Sequence, residues 1–239
     1  MQPLLYRELV PWYQLLDPRE DHADEVAAYQ AAFERANPEA RTLLELGAGA
    51  GNNASHLKQR YRCTLSEPSR EMQALSLAQN PDCEHLAGDM RTVRFERTFD
   101  LVLVHDAIMY MTDEAQLRAA IETAFVHTRE GGAAVFAPDV LRENFRESTD
   151  VHAGGSGARS LRCLEWVWDP DPGDSSFVVE YAFLLREGGE VQAIHDRHVE
   201  GMFTTETWLR LFASVGFRAE TFTRPIDDRS VDTVFLCRR

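Results

Sequence analysis

Leu43-Leu44-Glu45-Leu46-Gly47-Ala48-Gly49-Ala50-Gly51 is the stretch that decides the fold. An apolar run, Thr42 to Leu46, passes straight into three alternating glycines, and a helix-like segment, Asn53 to Tyr61, follows. A strand ending in a tight turn that feeds a helix reads this way. The turn needs backbone angles that glycine adopts cheaply, and a ligand must approach where a Cβ would block it. The N-terminus of the next helix attracts anionic or acceptor groups. The spacing is not the dinucleotide fingerprint G-x-G-x-x-G, because Asn52 stands where the third glycine belongs. A nucleotide-free α/β turn and an NAD site remain the competing interpretations of the turn alone.

Working outward, Arg62 to Glu67 is a short strand ending in a carboxylate 20 residues after Gly47, where an acid can accept ribose hydroxyls. Gly88-Asp89-Met90 and a strand Phe99 to Val104 ending in His105-Asp106 follow. With these, the E-x-G-x-G-x-G pattern resembles the class I S-adenosylmethionine-dependent methyltransferases. The resemblance implies that S-adenosylmethionine is the cofactor and that the turn of Gly47, Ala48 and Gly49 cradles its methionine part. Glu67, followed by Pro68, would hold the ribose. Asp89 would accept from the adenine amine and Met90 would offer its backbone N–H; as a simpler alternative, Asp89 only forms the turn after Gly88. Glu45 would hold the turn or the cofactor's ammonium. His105 also falls among the cofactor contacts, and Tyr13 faces the methionine end or simply packs the cap.

The chain has 239 residues, 44% of them apolar, enough for one α/β domain with an insertion or two small domains. Lys+Arg number 25 against 39 Asp+Glu, a net charge of −14. Such a chain repels phosphate backbones, so nucleic acid is disfavoured as a substrate, and no Asn-Pro-Pro-Tyr-type motif appears. The four cysteines stand far apart without a C-x-x-C, which argues for reduced thiols in a cytoplasm and no metal site. Charged Arg7 and Glu8 rule out a signal peptide in the apolar N-terminus, and no run approaches the ~18 apolar residues of a membrane span.

Alternating strands and helices predict a doubly wound, Rossmann-like seven-stranded α/β sheet. Residues 1–40 form N-terminal cap helices, with Ala23, Val26, Ala27, Phe33 and Ala36 as inner positions of the second. Residues 41–145 form the cofactor-binding core. A helix over 113–128 starts on Thr112 as N-cap and stops at Gly131-Gly132. Residues 146–203 form a three-stranded antiparallel insertion, with 146–160 as a mobile loop and strands near 161–169, 176–186 and 190–200. Alternation puts Trp166 and Trp168 on one face, and Phe177, Val179, Tyr181 and Phe183 on a face of the next strand. Residues 204–239 complete the core with a last helix, 205–215, ending at Gly216, and two strands.

Methyl transfer to an amine or hydroxyl profits from a base. The candidates are His105, Asp106, Tyr110, His195 and His198, with His198 and His105 as the catalytic choice. His195 and His198 point to opposite strand faces, so one metal cannot take both, while His198 shares its face with Asp196. Asp106, Tyr110, His198 and Trp166 are the expected acceptor contacts. Residues 195–209, and the order of cap, core and insertion, are similar to small-molecule N-methyltransferases of the amino-sugar type. The stretch His105 to Met111 departs from that group, so the sugar itself cannot be carried over. The reading is a methyltransferase of a small-molecule N or O nucleophile. Its alternatives are a cofactor-binding protein without turnover and a nucleic-acid methyltransferase; a homodimer is left open.

Overall fold

The computed structural model describes residues 3–225 and 231–239. Strands β1 (Thr42–Leu46), β2 (Arg62–Glu67), β3 (Glu84–Ala87), β4 (Phe99–Val104) and β5 (Thr128–Phe136) run parallel. The chain then leaves for β6 (Ser148–Ser156), β7 (Arg159–Trp168), β8 (Ser176–Glu187) and β9 (Glu190–Gly201), and returns through β10 (Arg218–Pro225) and β11 (Val231–Arg238). The main sheet has the order β10-β11-β5-β4-β1-β2-β3, with β11 antiparallel to both neighbours. This is the expected seven-stranded doubly wound sheet.

Both faces of the sheet are covered, as a parallel sheet requires. Leu44, Leu46, Val102 and Val104 pack toward α5 (Glu114–His127) and α6 (Thr205–Val215). Leu43, Leu101 and Leu103 pack toward α2 (Ala23–Ala36) and α3 (Asn52–Leu57). Truncating any of these fully buried leucines to alanine would cost about 2–5 kcal/mol.

Four expectations are corrected. Residues 148–156 are not a loop but the edge strand of a four-stranded antiparallel sheet, β6-β7-β8-β9. Gly154 serves close approach: a Cβ there would lie 1.8 Å from the carbonyl oxygen of Leu15 in the cap. Asp113, not Thr112, caps α5, its carboxylate accepting from Gln116 N at 2.8 Å. Gly131 and Gly132 lie inside β5, where the β4–β5 register shifts, instead of ending the helix. Ala23 and Ala27 are exposed, and Tyr29, absent from the expected inner positions, is fully buried.

Leu5 and Leu9 of the N-terminal segment pack on Leu161, Cys163, Phe183 and Leu185 of the inner face of the second sheet. Phe177 and Val179 of that face join the main core. The cap is thereby clamped between the insertion and the glycine turn. Trp166 and Trp168 stack at 5.6 Å, but on the outer face, where Trp166 is 47% exposed.

Candidate active site

The carboxyl ends of β1, β2 and β4 open into a cleft of about 490 Å³, roofed by Pro3, Tyr6 and Tyr13. Ligands of open α/β sheets bind at this end of the strands. Tyr13, Glu45, Gly47, Ala48, Gly49, Glu67, Pro68, Asp89, Met90 and His105 all line this one cleft, as do Asp106 and Tyr110. Trp166 does not, because strand alternation turns it outward. His198 does not line it either: it is 1% exposed, behind Tyr110. Tyr6, His22, Asn52 and Asn53 line it without having been singled out from the sequence. Only the position of Asn52 and Asn53 directly after the glycine turn could have signalled them.

The turn is built as the sequence demands. Gly47, Gly49 and Gly51 have φ of 75°, 53° and 75°, the left-handed region. A Cβ on Gly47 would fall 2.4 Å from that of Ala107, whereas one on Gly49 meets nothing closer than Met72 Cε at 3.6 Å and looks into the cleft. Glu67 fastens the turn: Gly49 N–H donates to Oε2 at 3.0 Å and Ser69 N–H to Oε1 at 2.8 Å. Each oxygen keeps a further lone pair for a ribose hydroxyl. Burial raises the pKa of Glu67 despite these two donors. Asp89 is both a turn former, accepting from Arg91 N–H, and the partner of the Arg91 guanidinium, which lowers its pKa.

Glu45 is 2% exposed, accepts from Asn53 Nδ2 at 3.2 Å, and leaves Oε2 buried with no partner. Burial pushes its pKa up to about 7. A buried orphan acceptor beside a glycine turn fits a cationic ligand group, such as the ammonium of S-adenosylmethionine. The sign follows from charge. The carboxylate forms as pH rises through about 7, and only the carboxylate attracts a cation. Calorimetry should therefore show affinity for S-adenosylmethionine strengthening across that range, and Glu45→Gln should flatten the dependence. A flat wild-type profile would remove Glu45 from cation binding.

His105 sits in an ionic network. Its Nε2 faces Glu25 at 3.2 Å and Asp106 at 2.8 Å. Burial opposes its charging, but the charge of Asp106 and its other partners raise its pKa well above the ordinary value. The two carboxylates on Nε2 favour a proton there, and Asn53 Nδ2 lies 3.2 Å from Nδ1, so both ring nitrogens are already engaged. His22 is similar: burial opposes charging, but Asp17 and Glu25 on its two ring nitrogens push its pKa up to about 10. Arg224 ties Glu25 to Asp232 at the end of the main sheet. Asp139 brings a third ligand atom within 4.8 Å of those of His105 and Asp106, but the imidazole nitrogen of that cluster is already engaged by two carboxylates. His195 lies on the outer face with Glu180 and His198 on the inner face, as alternation requires.

Residues 43–132, from the first strand of the core to the start of its fifth, match the sequence profile of a methyltransferase domain. The chain carries a class I S-adenosylmethionine-dependent methyltransferase domain. Its cofactor is S-adenosylmethionine, which supplies a methyl group on a sulfonium ready to leave. The methyltransferase is 26% identical over 202 residues to the dTDP-3-amino-3,6-dideoxy-alpha-D-glucopyranose N,N-dimethyltransferase of Streptomyces fradiae, covering 84% of this chain and 79% of that protein. In fold it is similar to DesVI of Streptomyces venezuelae, with a TM-score of 0.84 at 20% identity, covering 97% of both chains. It is also similar to the sugar N-methyltransferase KedS8 of a Streptoalloteichus species, with a TM-score of 0.85 at 22% identity, covering 96% of this chain and 91% of that one. Among the described residues, no helix is long and apolar enough to cross a membrane, and Cys63, Cys83, Cys163 and Cys237 are free thiols.

Proposed function

We propose that this methyltransferase acts on the nitrogen of a small amine, of the amino-sugar kind. The observation that carries the reading is the charge of the cleft. Asp17, Glu45, Glu67, Asp89 and Asp106 line it against three cationic groups, His22, Arg91 and His105, which pair with Asp17, Asp89 and Asp106, so the acids remain in excess. An acceptor that carries a cationic amine is attracted to such a wall, and an acidic acceptor is repelled. Glu45 and Glu67 serve the cofactor, which leaves Asp106, beside Tyr110 and Tyr6, for the acceptor. The names of the relatives, which act on amino sugars, support the same choice of nitrogen.

The division of labour follows. Residues 41–145 and 204–239 hold the cofactor, and residues 1–40 and 146–203 close over it and select the acceptor. The protein's part in the chemistry is to align the nitrogen, exclude water and dispose of a proton. The test is incubation with S-adenosylmethionine and a panel of dTDP-amino sugars, simple amines, phenols and acids, read by mass spectrometry. Methylated amines are expected. Methylation confined to phenols or acids contradicts the nitrogen assignment, and no product from any class contradicts turnover itself.

A further inference from the structure

Four side chains form an unbroken hydrogen-bonded line from the cleft into the inner face of the second sheet. Tyr6 Oη and Tyr110 Oη are 2.7 Å apart, and both residues line the cleft. Tyr110 Oη lies 2.8 Å from His198 Nδ1, and His198 Nε2 lies 3.1 Å from Asp196 Oδ2. The same Asp196 oxygen accepts from Leu5 N–H at 2.8 Å, which locks the far end of the line to the cap. His198 and Asp196 are 1% and 6% exposed, so water does not compete for them.

The direction of every proton in the line can be deduced. Burial works against the charge on Asp196, yet His198 and the Leu5 N–H hold its pKa down to about 2, so it is a carboxylate and only accepts. His198 Nε2 must then carry a proton, and in the neutral ring Nδ1 has a lone pair. Tyr110 therefore donates to Nδ1, and Tyr6 donates to Tyr110. The Tyr6 oxygen is left with lone pairs free at the cleft wall. Burial raises the pKa of both tyrosines, so neither holds a charge and each passes a proton only by giving one up.

Resting on the amine-acceptor reading above, we propose that Tyr6, Tyr110 and His198, oriented by Asp196, are a proton path that takes one proton from the acceptor's ammonium. The ammonium N–H proton passes to Tyr6 Oη as the Tyr6 proton passes to Tyr110 and the Tyr110 proton to His198 Nδ1. The ammonium becomes an amine and the imidazole an imidazolium paired with Asp196. The nitrogen lone pair then forms the bond to the methyl carbon, and the electron pair of the broken S–CH₃ bond stays on sulfur. Tyr6 touches the substrate, whereas His198 and Asp196 act through the tyrosines. The other titratable groups facing His198 are Tyr181, whose ring centroid is 4.8 Å away, and Glu200, with Oε1 3.9 Å from Nδ1; Glu165 pairs with Tyr181 from β7. Burial pushes the pKa of Glu200 up to about 8, which leaves Asp196 as the imidazole's charged partner at neutral pH.

Two readouts test the path. In protein labelled with ¹⁵N-histidine and loaded with S-adenosylhomocysteine, long-range ¹H–¹⁵N spectra should show His198 as the Nε2–H tautomer. Tyr110→Phe should shift its Nδ1 resonance by removing the donor. In turnover with dTDP-3-amino-3,6-dideoxy-glucose, Tyr6→Phe and Tyr110→Phe should each lower kcat by about 100-fold or more, with S-adenosylhomocysteine affinity unchanged. The acid limb of the wild-type kcat profile should be replaced in both by a rate that rises steadily with pH. An Nδ1–H tautomer, an Nδ1 resonance indifferent to Tyr110→Phe, or wild-type kcat and pH profile in both variants overturns the path. If the wild type methylates no amine of the panel, the acceptor reading falls and the tautomer measurement alone decides the path.

Discussion

Gly49→Val is expected to abolish S-adenosylmethionine binding while leaving the protein folded. Gly49 sits at φ 53°, and its missing Cβ looks into the cleft with Met72 Cε as the nearest atom at 3.6 Å. The new isopropyl group therefore has room inside the protein only where the ligand belongs. The left-handed backbone angle adds strain of order 1–3 kcal/mol for a non-glycine residue, which a domain of this size tolerates. Calorimetry should show affinity falling by ~100-fold or more, a loss of about 2.7 kcal/mol. Circular dichroism should match the wild type. Gly47→Val is a different experiment, because its Cβ would strike Ala107 at 2.4 Å and disturb the fold itself.

Glu67→Ala is expected to act on both ligand and turn. It removes the acceptor proposed for the ribose hydroxyls and also orphans the Gly49 and Ser69 N–H groups, which point at its two oxygens. At about 1.5–3 kcal/mol for a hydrogen bond to a charged group, cofactor affinity should fall by about tenfold or more. An orphaned buried N–H costs about 1–3 kcal/mol, so the thermal midpoint should drop as well. Glu67→Gln separates the two effects, since its carbonyl oxygen can still accept from one N–H. If Glu67→Ala leaves the dissociation constant unchanged, another group binds the ribose.

The parts of this site that the sequence showed are those set by local chemistry. Three alternating glycines after an apolar strand have few conformational options, and an acid ending the next parallel strand falls beside them by register: Glu45 pairs with Leu65 and Leu46 with Ser66. Strand alternation likewise separated His195 from His198 and put His198 with Asp196. What stayed hidden depends on long-range contact. Gly154 read as a loop residue because nothing local shows that the cap backbone crosses there. Trp166 read as an acceptor contact because periodicity assigns a face without saying which face is inward. His22, Arg224 and Asp232 read as scattered residues, and only tertiary packing joins them to His105 and Glu25 in one ionic network. Tyr6 carried no signal in the sequence, although its hydroxyl is the end of the line that reaches His198.

The glycine turn, Glu67 and Glu45 are expected to hold S-adenosylmethionine with its reactive end toward Tyr6 and Tyr110. A crystal structure of the protein with S-adenosylhomocysteine tests it most directly. The account predicts the ribose hydroxyls on the Glu67 carboxylate, the ammonium on the Glu45 oxygen that now lacks a partner, and the sulfur facing the Tyr6–Tyr110 wall. A ligand bound elsewhere, or bound in the cleft with its ribose away from Glu67, would contradict it.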